Sequence, residues 1–422
     1  MQWTPKLRWG YLWATATELL TCSMSKGKLG GPSVRIIGDP AGGGTGKIGN
    51  PPRFWGLTAR QRLERSLARA GAPTGSSWAE RSAAHGLALL RDDYVFDEML
   101  VPALLRQPGV ILLASDSAPA ALHAPGRIDG ERVAALESAL MSGSWAEEGL
   151  RRVTPAELAS TFNQGLRKRA APYLLRVDAA PAVEIERRMF AAAYKGVTDF
   201  VTKRVWPRPA FHATRFCARH GLSPNLVTAI SLVFVVIAMG LFWCGWFVPG
   251  LVAAWTMCFL DTVDGKLARV TLRSSSFGNI FDHGIDLIHP PFWYWAWYHG
   301  VTRGTVGDVD TTAFLALLLI LIGYLGGRLQ EGLFVWLFGI QIHIWRPLDS
   351  WFREVTARRN PNLFILTLGM LVGDPRSGFL AVAAWTAVSF VFHTVRIAQA
   401  MLAMAHGRAP ISWLSEPVAR AS

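Results

Sequence analysis

Four aspartates lie at the end of one of the most apolar stretches of the chain. The run WFVPGLVAAWTMCFL leads directly into DTVDGKLARVTLRSSSFGNIFDHGID, which contains Asp261, Asp264, Asp282 and Asp286. An unpaired carboxylate in apolar surroundings costs several kcal/mol or binds a proton. Positive charge must therefore lie close to these side chains.

The spacing places the first two aspartates on one helical face. Residues three, four or seven apart share a face of an α-helix, so Asp264, Gly265 and Ala268 lie on the face of Asp261, with Arg269 close beside them. The two small residues leave room for a ligand near the helix backbone. Close packing of membrane helices would use them equally well.

The other two aspartates follow the same rule on the next helix. Gly278, Asp282 and Asp286 share one face, and the loop VTLRSSSF makes the two helices antiparallel neighbours. Eight residues, about 12 Å along a helix, separate Asp261 from Arg269 and Gly278 from Asp286. The sequence therefore predicts that four carboxylates converge at one end of a helix pair.

Converging carboxylates repel one another unless cations neutralise them. Ligand sets made only of oxygen favour hard divalent cations over zinc. Two such ions about 4 Å apart can clamp a pyrophosphate and stabilise both the attacking and the leaving oxygen. We therefore expect a two-metal site for Mg²⁺ or Mn²⁺, and the residues do not decide between these ions.

The composition indicates a membrane protein. Hydrophobic residues make up 51% of the 422 residues and charged residues only 17%, and the formal net charge is +13. The Lys and Arg residues flank apolar segments and do not interleave with aromatic residues on a soluble face. The basic charge therefore favours anionic lipid and phosphorylated substrates over nucleic acid. Four scattered cysteines without CxxC spacing indicate neither a zinc site nor a disulfide framework.

Six membrane spans are predicted. The first begins at Ser223 and Pro224, a typical helix start, and continues for long enough to cross about 30 Å of hydrocarbon. The other five expected spans are Phe247–Arg269, Gly278–Tyr298, Thr311–Tyr324, Leu363–Val372 and Phe379–Met401. Loops rich in Lys and Arg all fall on one side of this arrangement. We therefore expect a multi-pass integral membrane protein with both termini and the aspartates on the cytoplasmic side.

The chain before these spans is predicted to be an α/β domain. Short β-branched runs (SVRIIG, YVF, GVILLAS, PYLLRVD) alternate there with helical stretches (GLTARQRLERSLARAGA, AAPAVEIERRMFAAAYK). Residues 1–30 are interpreted as an N-terminal extension, 31–194 as the α/β domain and 195–222 as a basic juxtamembrane segment. Residues 223–405 are the all-α membrane domain, and 406–422 are a C-terminal tail.

The aspartate-containing stretch resembles a known family. It matches, position by position, the D-x-x-D-G-x-x-A-R-x8-G-x3-D-x3-D signature of the CDP-alcohol phosphatidyltransferases. The resemblance implies that a CDP-linked alcohol gives its phospho-alcohol part to an acceptor hydroxyl and that CMP leaves. It also implies that Asp261, Asp264 and Asp282 are metal ligands. Asp286 would be the general base and would also touch metal.

The same resemblance implies a nucleotide site and a dimer. The residues that would line the CDP site are Gly265, Ala268, Arg269 and Gly278. The sequence SPNLVT resembles the family's first helix, in which Asn225 and Thr228 would reach the cytosine. A helix start with a polar residue bonded to its own backbone explains these two residues equally well. A homodimer through the membrane domain is also expected.

A second resemblance concerns the domain order. The segment GIQIHIWRPLDSWFREVTARRNPN and the leading domain resemble enzymes in which an inositol-phosphate cytidylyltransferase is fused to a di-inositol phosphate phosphate synthase. The leading domain departs from that pattern: AGGGTGK has Gly46 and Lys47 where Arg is expected, and the downstream PK is missing. A flexible glycine linker is the simpler interpretation of AGGGTGK. We therefore expect a degenerate nucleotidyltransferase-like domain that acts as a docking or regulatory scaffold.

The acceptor site is less defined by sequence. Arg273, Arg358 and Arg359 lie on the expected cytoplasmic side and could bind an acceptor phosphate. Simple positive-inside topology explains them equally well. The donor is either a water-soluble CDP-polyol or the lipid CDP-diacylglycerol.

Two other function classes remain open. A cation transporter would place carboxylates near the membrane midplane on broken helices in repeated halves, whereas these aspartates lie near one interface and no internal repeat is present. A catalytically inactive membrane scaffold is the other alternative, and the intact signature argues against it.

Overall fold

The structure of this chain is a computed structural model that describes residues 32–38, 51–72, 86–143, 149–274, 276–303 and 310–415. The expected N-terminal extension, the glycine-rich loop with Gly46 and Lys47, and the end of the C-terminal tail lie outside the described residues.

The leading region contains short strands and helices that alternate along the chain. The strands are β1 (Ser33–Ile37), β2 (Arg53–Phe54), β3 (Leu57–Thr58), β4 (Leu87–Arg91), β5 (Tyr94–Phe96), β6 (Val110–Leu113), β7 (Pro119–Ala124), β8 (Arg151–Val153), β9 (Phe162–Asn163), β10 (Lys168–Arg169) and β11 (Leu174–Arg176). The helices are α1 (Ala59–Arg69), α2 (Leu100–Arg106), α3 (Gly130–Ser142), α4 (Pro155–Leu158) and α5 (Ala182–Ala192).

A mixed five-stranded sheet is the centre of this region. Its order is β1-β4-β7-β6-β8, with β1 parallel to β4, β8 parallel to β6, and β7 antiparallel to both of its neighbours. Each of the four predicted β-branched runs contains a strand, and both predicted helical stretches contain a helix. The predicted α/β character of the leading region is confirmed.

The second region is helical. Its helices are α6 (Pro207–Arg219), α7 (Pro224–Trp243), α8 (Phe247–Val270), α9 (Ser276–Val301), α10 (Thr311–Phe338), α11 (Pro347–Phe352), α12 (Arg359–Leu371) and α13 (Pro375–Ala405). The first span begins as predicted, because the Ser223 hydroxyl accepts a hydrogen bond from the backbone N–H of Leu226 at 3.2 Å and Pro224 occupies the first turn.

Four helices in the described part of the chain, α7, α8, α10 and α13, are long and apolar enough to cross a membrane. Helix α9 has 26 residues but carries Asp282 and Asp286, and α12 has only 13 residues, about 20 Å of helix. The prediction of a membrane domain is therefore supported by four helices, and spans at α9 and α12 stay predictions.

Helix α10 is longer than the sequence pattern predicted. It continues past Tyr324 to Phe338. Arg328 and Glu331 do not end the helix, because they form an ion pair of 3.0 Å along one of its faces. Polar residues that find partners inside the protein do not interrupt an apolar helix.

Aromatic side chains join the helices. Phe242 of α7 lies edge-on to Trp293 and Trp297 of α9, with ring centroids 6.0 and 5.7 Å apart. A Cβ at Gly250 would lie 2.7 Å from the Phe242 ring, so α8 approaches α7 closely only because this residue is glycine. The outer surfaces of the helices expose large apolar side chains, including Val236, Val248, Val252, Ile322 and Leu329. This distribution fits a lipid environment.

Three arginines of α1 bind the end of α8. Arg62 Nη1 donates to the Val270 carbonyl at 2.6 Å and Arg65 Nη1 donates to the Thr271 carbonyl at 2.7 Å. Arg69 reaches the Ser274 hydroxyl. These arginines share one helical face, and Arg62 and Arg65 satisfy carbonyls that have no partner inside α8. The leading region is thus attached to the helix that carries Asp261 and Asp264.

Replacing Arg62 by Ala should destabilise the protein by about 1–3 kcal/mol, because a buried carbonyl loses its donor. The effect would be measured as a lower midpoint of thermal unfolding in detergent. The matched control is Arg60→Ala on the exposed side of α1, which should change stability by no more than about 0.5 kcal/mol. Equal midpoints for the two variants would contradict the role of Arg62.

Candidate functional site

Three of the four aspartates converge in the structure. One carboxylate oxygen from each of Asp261, Asp264 and Asp282 lies within 4.8 Å of the other two. Oxygens on opposite sides of one cation with bonds of about 2.0–2.6 Å are about 4–5 Å apart. The three side chains are therefore spaced to bind a single divalent cation directly.

Asp286 lies beside this group and is connected to it by an arginine. Arg359 Nη1 contacts Asp286 Oδ1 at 2.5 Å, and Arg359 Nη2 contacts Asp261 Oδ2 at 2.5 Å. The Asp286 side chain is 43% exposed, whereas Arg359 is largely buried. The sequence required a positive partner for these carboxylates, and Arg359, at the start of α12, is one.

Asp264 supports a metal site most directly. The residue is 3% exposed, and its Oδ2 accepts a hydrogen bond of 2.6 Å from the Thr228 hydroxyl. Its Oδ1 is buried and has no hydrogen-bond partner among the residues that the structure describes. A buried carboxylate oxygen without a partner is costly unless a cation binds it. The donor set and this orphan oxygen fit Mg²⁺ or Mn²⁺.

Some of the residues predicted to bind the nucleotide lie beside the aspartates, and others lie farther along the helices. Thr228 contacts Asp264, and a Cβ at Gly265 would lie 3.4 Å from the Arg269 guanidinium, so Gly265 and Arg269 are neighbours. Arg269 Nε donates to the Ala193 carbonyl at 3.0 Å. Two further positions, Ala268 and Gly278, are partly buried on α8 and α9, whereas Asn225 is exposed at the start of α7.

Residues before the first span also reach the site. The Lys266 ammonium lies 3.7 Å from the centre of the Tyr194 ring and is buried. Lys195, the next residue after Tyr194, is close enough to Asp261 and Asp282 to interact with their charges. Burial together with nearby arginines lowers the pKa of Lys195 to about 8. No sequence pattern predicted this contribution, although the basic segment begins at Lys195.

A second cluster of cations surrounds Glu331. Glu331 Oε1 accepts hydrogen bonds from Arg328 at 3.0 Å and His343 at 3.1 Å, and it also contacts Arg358. Arg353, which is 7% exposed, is close to this group. Its Nε and Nη1 atoms are buried, and no hydrogen-bond partner for them lies in the described part of the chain. One carboxylate thus faces several guanidinium groups.

The cluster continues into the leading region through Arg167, at the turn between β9 and β10. Burial, together with repulsion from Arg358, lowers the pKa of Arg167 to about 10. Asp199 is the second carboxylate nearby, and it is already bonded to Asn360 at 2.9 Å. The positive charges of the cluster therefore outnumber its negative charges.

Other candidates from the sequence lie elsewhere. Arg273 is exposed beyond the end of α8 and donates to the Gly221 carbonyl at 3.4 Å. His283 is mostly exposed, as expected for a residue on another face of its helix, and His289 is buried against the Ile285 carbonyl at 2.6 Å. The acidic turn before YVF is ion-paired through Asp92 and Asp93 to Arg60 and Arg91.

Comparison with known proteins identifies the helical segment. Residues 222–326 match the family model described as CDP-alcohol phosphatidyltransferase. The matched segment contains all four aspartates of the signature. Cholinephosphotransferase 1 of Gallus gallus is 29% identical over 133 residues, which are 29% of this chain and 39% of that protein. The chain thus spans about two fifths of the length of the curated relative it matches. Both findings show that the helical segment is similar to this family.

Replacing Asp264 by Asn should weaken Mn²⁺ binding by more than about tenfold, because even changes behind a metal's direct ligands cost 10–100-fold. Binding would be measured on the purified protein by electron paramagnetic resonance of free Mn²⁺. Asp92→Asn is the matched control and should bind Mn²⁺ as the wild type does. Unchanged affinity in Asp264→Asn would remove this carboxylate from the metal site.

Proposed function

We propose that this chain is an integral-membrane, divalent-metal-dependent transferase. It moves the phospho-alcohol part of a CDP-alcohol to an acceptor hydroxyl and releases CMP, in phospholipid or polyol-phosphate synthesis. The observation that carries the proposal is the convergence of Asp261, Asp264 and Asp282 within the segment that matches the family. The termini and the site face the cytoplasm, and a homodimer through the membrane domain remains a prediction.

The carboxylates and the hydroxyl of Thr228 have distinct tasks in this reaction. Asp261, Asp264 and Asp282 hold Mg²⁺ or Mn²⁺, and Thr228 fixes the orientation of Asp264 by its hydrogen bond. The bound metal supplies charge neutralisation at the pyrophosphate of the donor. Phosphoryl transfer needs this neutralisation and in-line positioning more than it needs covalent help from the protein.

Asp286 is the proposed general base. Of the two carboxylates that contact Arg359, Asp286 is more exposed than Asp261, so an acceptor can reach it. Asp264, in contrast, is buried. The acceptor oxygen forms a bond to the donor phosphorus, its proton passes to Asp286, and the bond from phosphorus to the CMP oxygen breaks. CMP leaves with the electron pair of that bond.

The nucleotide lies along the neighbouring faces of the first three spans in this proposal. Gly265, Ala268 and Gly278 provide close approach to the backbone, and Arg269 provides charge. The Arg269 guanidinium is held by the Ala193 carbonyl, so its position depends on the leading region. Asn225 and Thr228 remain the proposed contacts to the cytosine.

A phosphorylated acceptor is favoured over a neutral one by the cluster around Glu331. Of the three arginines proposed for an acceptor phosphate, Arg358 lies in this cluster, with Arg353 and Arg167 beside it. Buried guanidinium groups without a counter-charge are costly unless an anion binds them. This feature supports the di-inositol phosphate phosphate synthase-like branch, with a leading domain that acts as a scaffold.

Replacing Asp286 by Asn should lower CMP release by at least about 100-fold, the usual contribution of a general base. CMP would be measured with CDP-inositol and with CDP-diacylglycerol, each offered a set of polyol and polyol-phosphate acceptors. Asp178→Asn, at an exposed ion pair, is the matched control. Retained transfer in Asp286→Asn with normal Mn²⁺ binding would exclude Asp286 as the base.

Replacing Arg353 by Gln should raise the KM for a phosphorylated acceptor by about tenfold, as expected for one lost charge-assisted hydrogen bond. The KM for the donor should not change, and the protein should be at least as stable because a repelling charge is gone. Arg408→Gln, at an exposed position, is the control. An unchanged acceptor KM would contradict the acceptor role of the cluster.

A further inference from the structure

A cavity of about 490 Å³ lies where the leading region meets the membrane domain. Its charged wall consists of Arg53, Arg65, Arg215, Arg219, Arg273 and Glu186. Two of these arginines come from the leading region and three from the helical region. The volume falls in the range of sites for small molecules, roughly 300–1,000 Å³.

The negative charge of Glu186 is neutralised by Arg215. Its Oε2 accepts a hydrogen bond of 2.7 Å from Arg215 Nε, and its Oε1 accepts one of 3.0 Å from the backbone N–H of Trp55. Glu186 is 3% exposed, so both oxygens are fixed inside the protein. Glu186 therefore neutralises Arg215 and leaves the other four arginines of the wall without a carboxylate in the described part of the chain.

Among the described residues, three of these four arginines donate hydrogen bonds to backbone carbonyls only. Arg65 donates to Thr271 at 2.7 Å, while Arg53 and Arg273 make long contacts of 3.4 Å. A guanidinium has five N–H donors, so most donors stay available. A backbone carbonyl is also uncharged, so it does not neutralise the positive charge of the guanidinium group. Burial and the repulsion from Arg273 lower the pKa of Arg65, which agrees with an excess of positive charge here.

The turn between β2 and β3 forms another part of the wall. Trp55 has φ of 54° and Gly56 has φ of 79°, so a large aromatic residue occupies a left-handed conformation. This conformation costs about 1–2 kcal/mol for a residue with a side chain. Packing against Phe190 and Phe211 holds Trp55 in place. Its indole Nε1–H is buried and has no hydrogen-bond partner within the described ranges of the chain.

The cavity is separate from the metal centre. Thr271, which lines the cavity, follows Asp261 by about 15 Å along α8. Among the residues proposed for metal, nucleotide or acceptor, Arg273 alone belongs to the wall. The arginines here are also partly exposed, unlike Arg353 in the cluster around Glu331.

We propose that this cavity binds the phosphate group of a second ligand, either a soluble phosphate ester or an anionic lipid headgroup. Guanidinium groups bind phosphate oxygens in pairs with good geometry. A bound phosphate neutralises arginines from both regions at once, so its binding fastens the leading region to the membrane domain.

The test uses the full chain in detergent at constant ionic strength, with inorganic phosphate replacing chloride. The midpoint of thermal unfolding should rise with phosphate and reach a plateau. Arg219→Gln should bind phosphate about tenfold more weakly, as expected for one lost charge-assisted hydrogen bond. Arg65→Gln should behave in the same way, and Arg219→Gln remains informative if Arg65→Gln fails to fold. The matched control is Arg204→Gln, an exposed arginine of the basic segment.

A second arm distinguishes the source of the phosphate. The same variants are placed in nanodiscs of phosphatidylcholine alone or with phosphatidic acid. Stabilisation by inorganic phosphate in detergent supports a soluble ligand, and stabilisation only by phosphatidic acid supports a headgroup. The proposal is wrong if Arg219→Gln and Arg204→Gln respond alike in both arms. It is also wrong if Asp264→Asn abolishes the response, since the anion would then belong to the metal centre.

Discussion

The requirement to neutralise carboxylates inside a helix bundle governs this structure. Asp261, Asp264 and Asp282 are close enough to repel one another, and each needs a positive or donating partner. The structure supplies partners for two of them from distant parts of the chain: Arg359, at the start of α12, contacts Asp261, and the Thr228 hydroxyl of α7 donates to Asp264. The packing of α12 and α7 around α8 is therefore tied to the charge of the site. A helix in the wrong register would leave a carboxylate unpaired.

The leading region also contributes groups that interact with the charged residues of the site. Its last helix ends at Ala192, and the next residues supply a carbonyl to Arg269, an aromatic ring to Lys266 and the ammonium of Lys195. Arginines of α1 also bind the end of α8. The leading region is thus part of the surroundings of the aspartates, and the site extends to residues that precede the first span.

Local sequence patterns predicted the structural features that depend on residues close together along the chain. The helical spacing of Asp261 and Asp264, the helix start at Ser223, and the strands and helices of the leading region all appear as expected, because periodicity and capping are properties of short segments. The bridge from Arg359 to Asp286 joins residues 73 positions apart. The contacts of Tyr194 with Lys266 and of Arg62 with Val270 depend likewise on how the two regions pack. No local pattern contains that information, so these residues of the site were found only in three dimensions.

The arginines of α1 have an evolutionary consequence. They complete the terminal turn of α8, so the leading region supports the geometry of the aspartates whether or not it has a reaction of its own. Selection for the membrane domain then also acts on one surface helix of the leading region, while the residues of any older active site are free to drift. A domain in this position can lose its original chemistry and still be retained as a structural part of its neighbour.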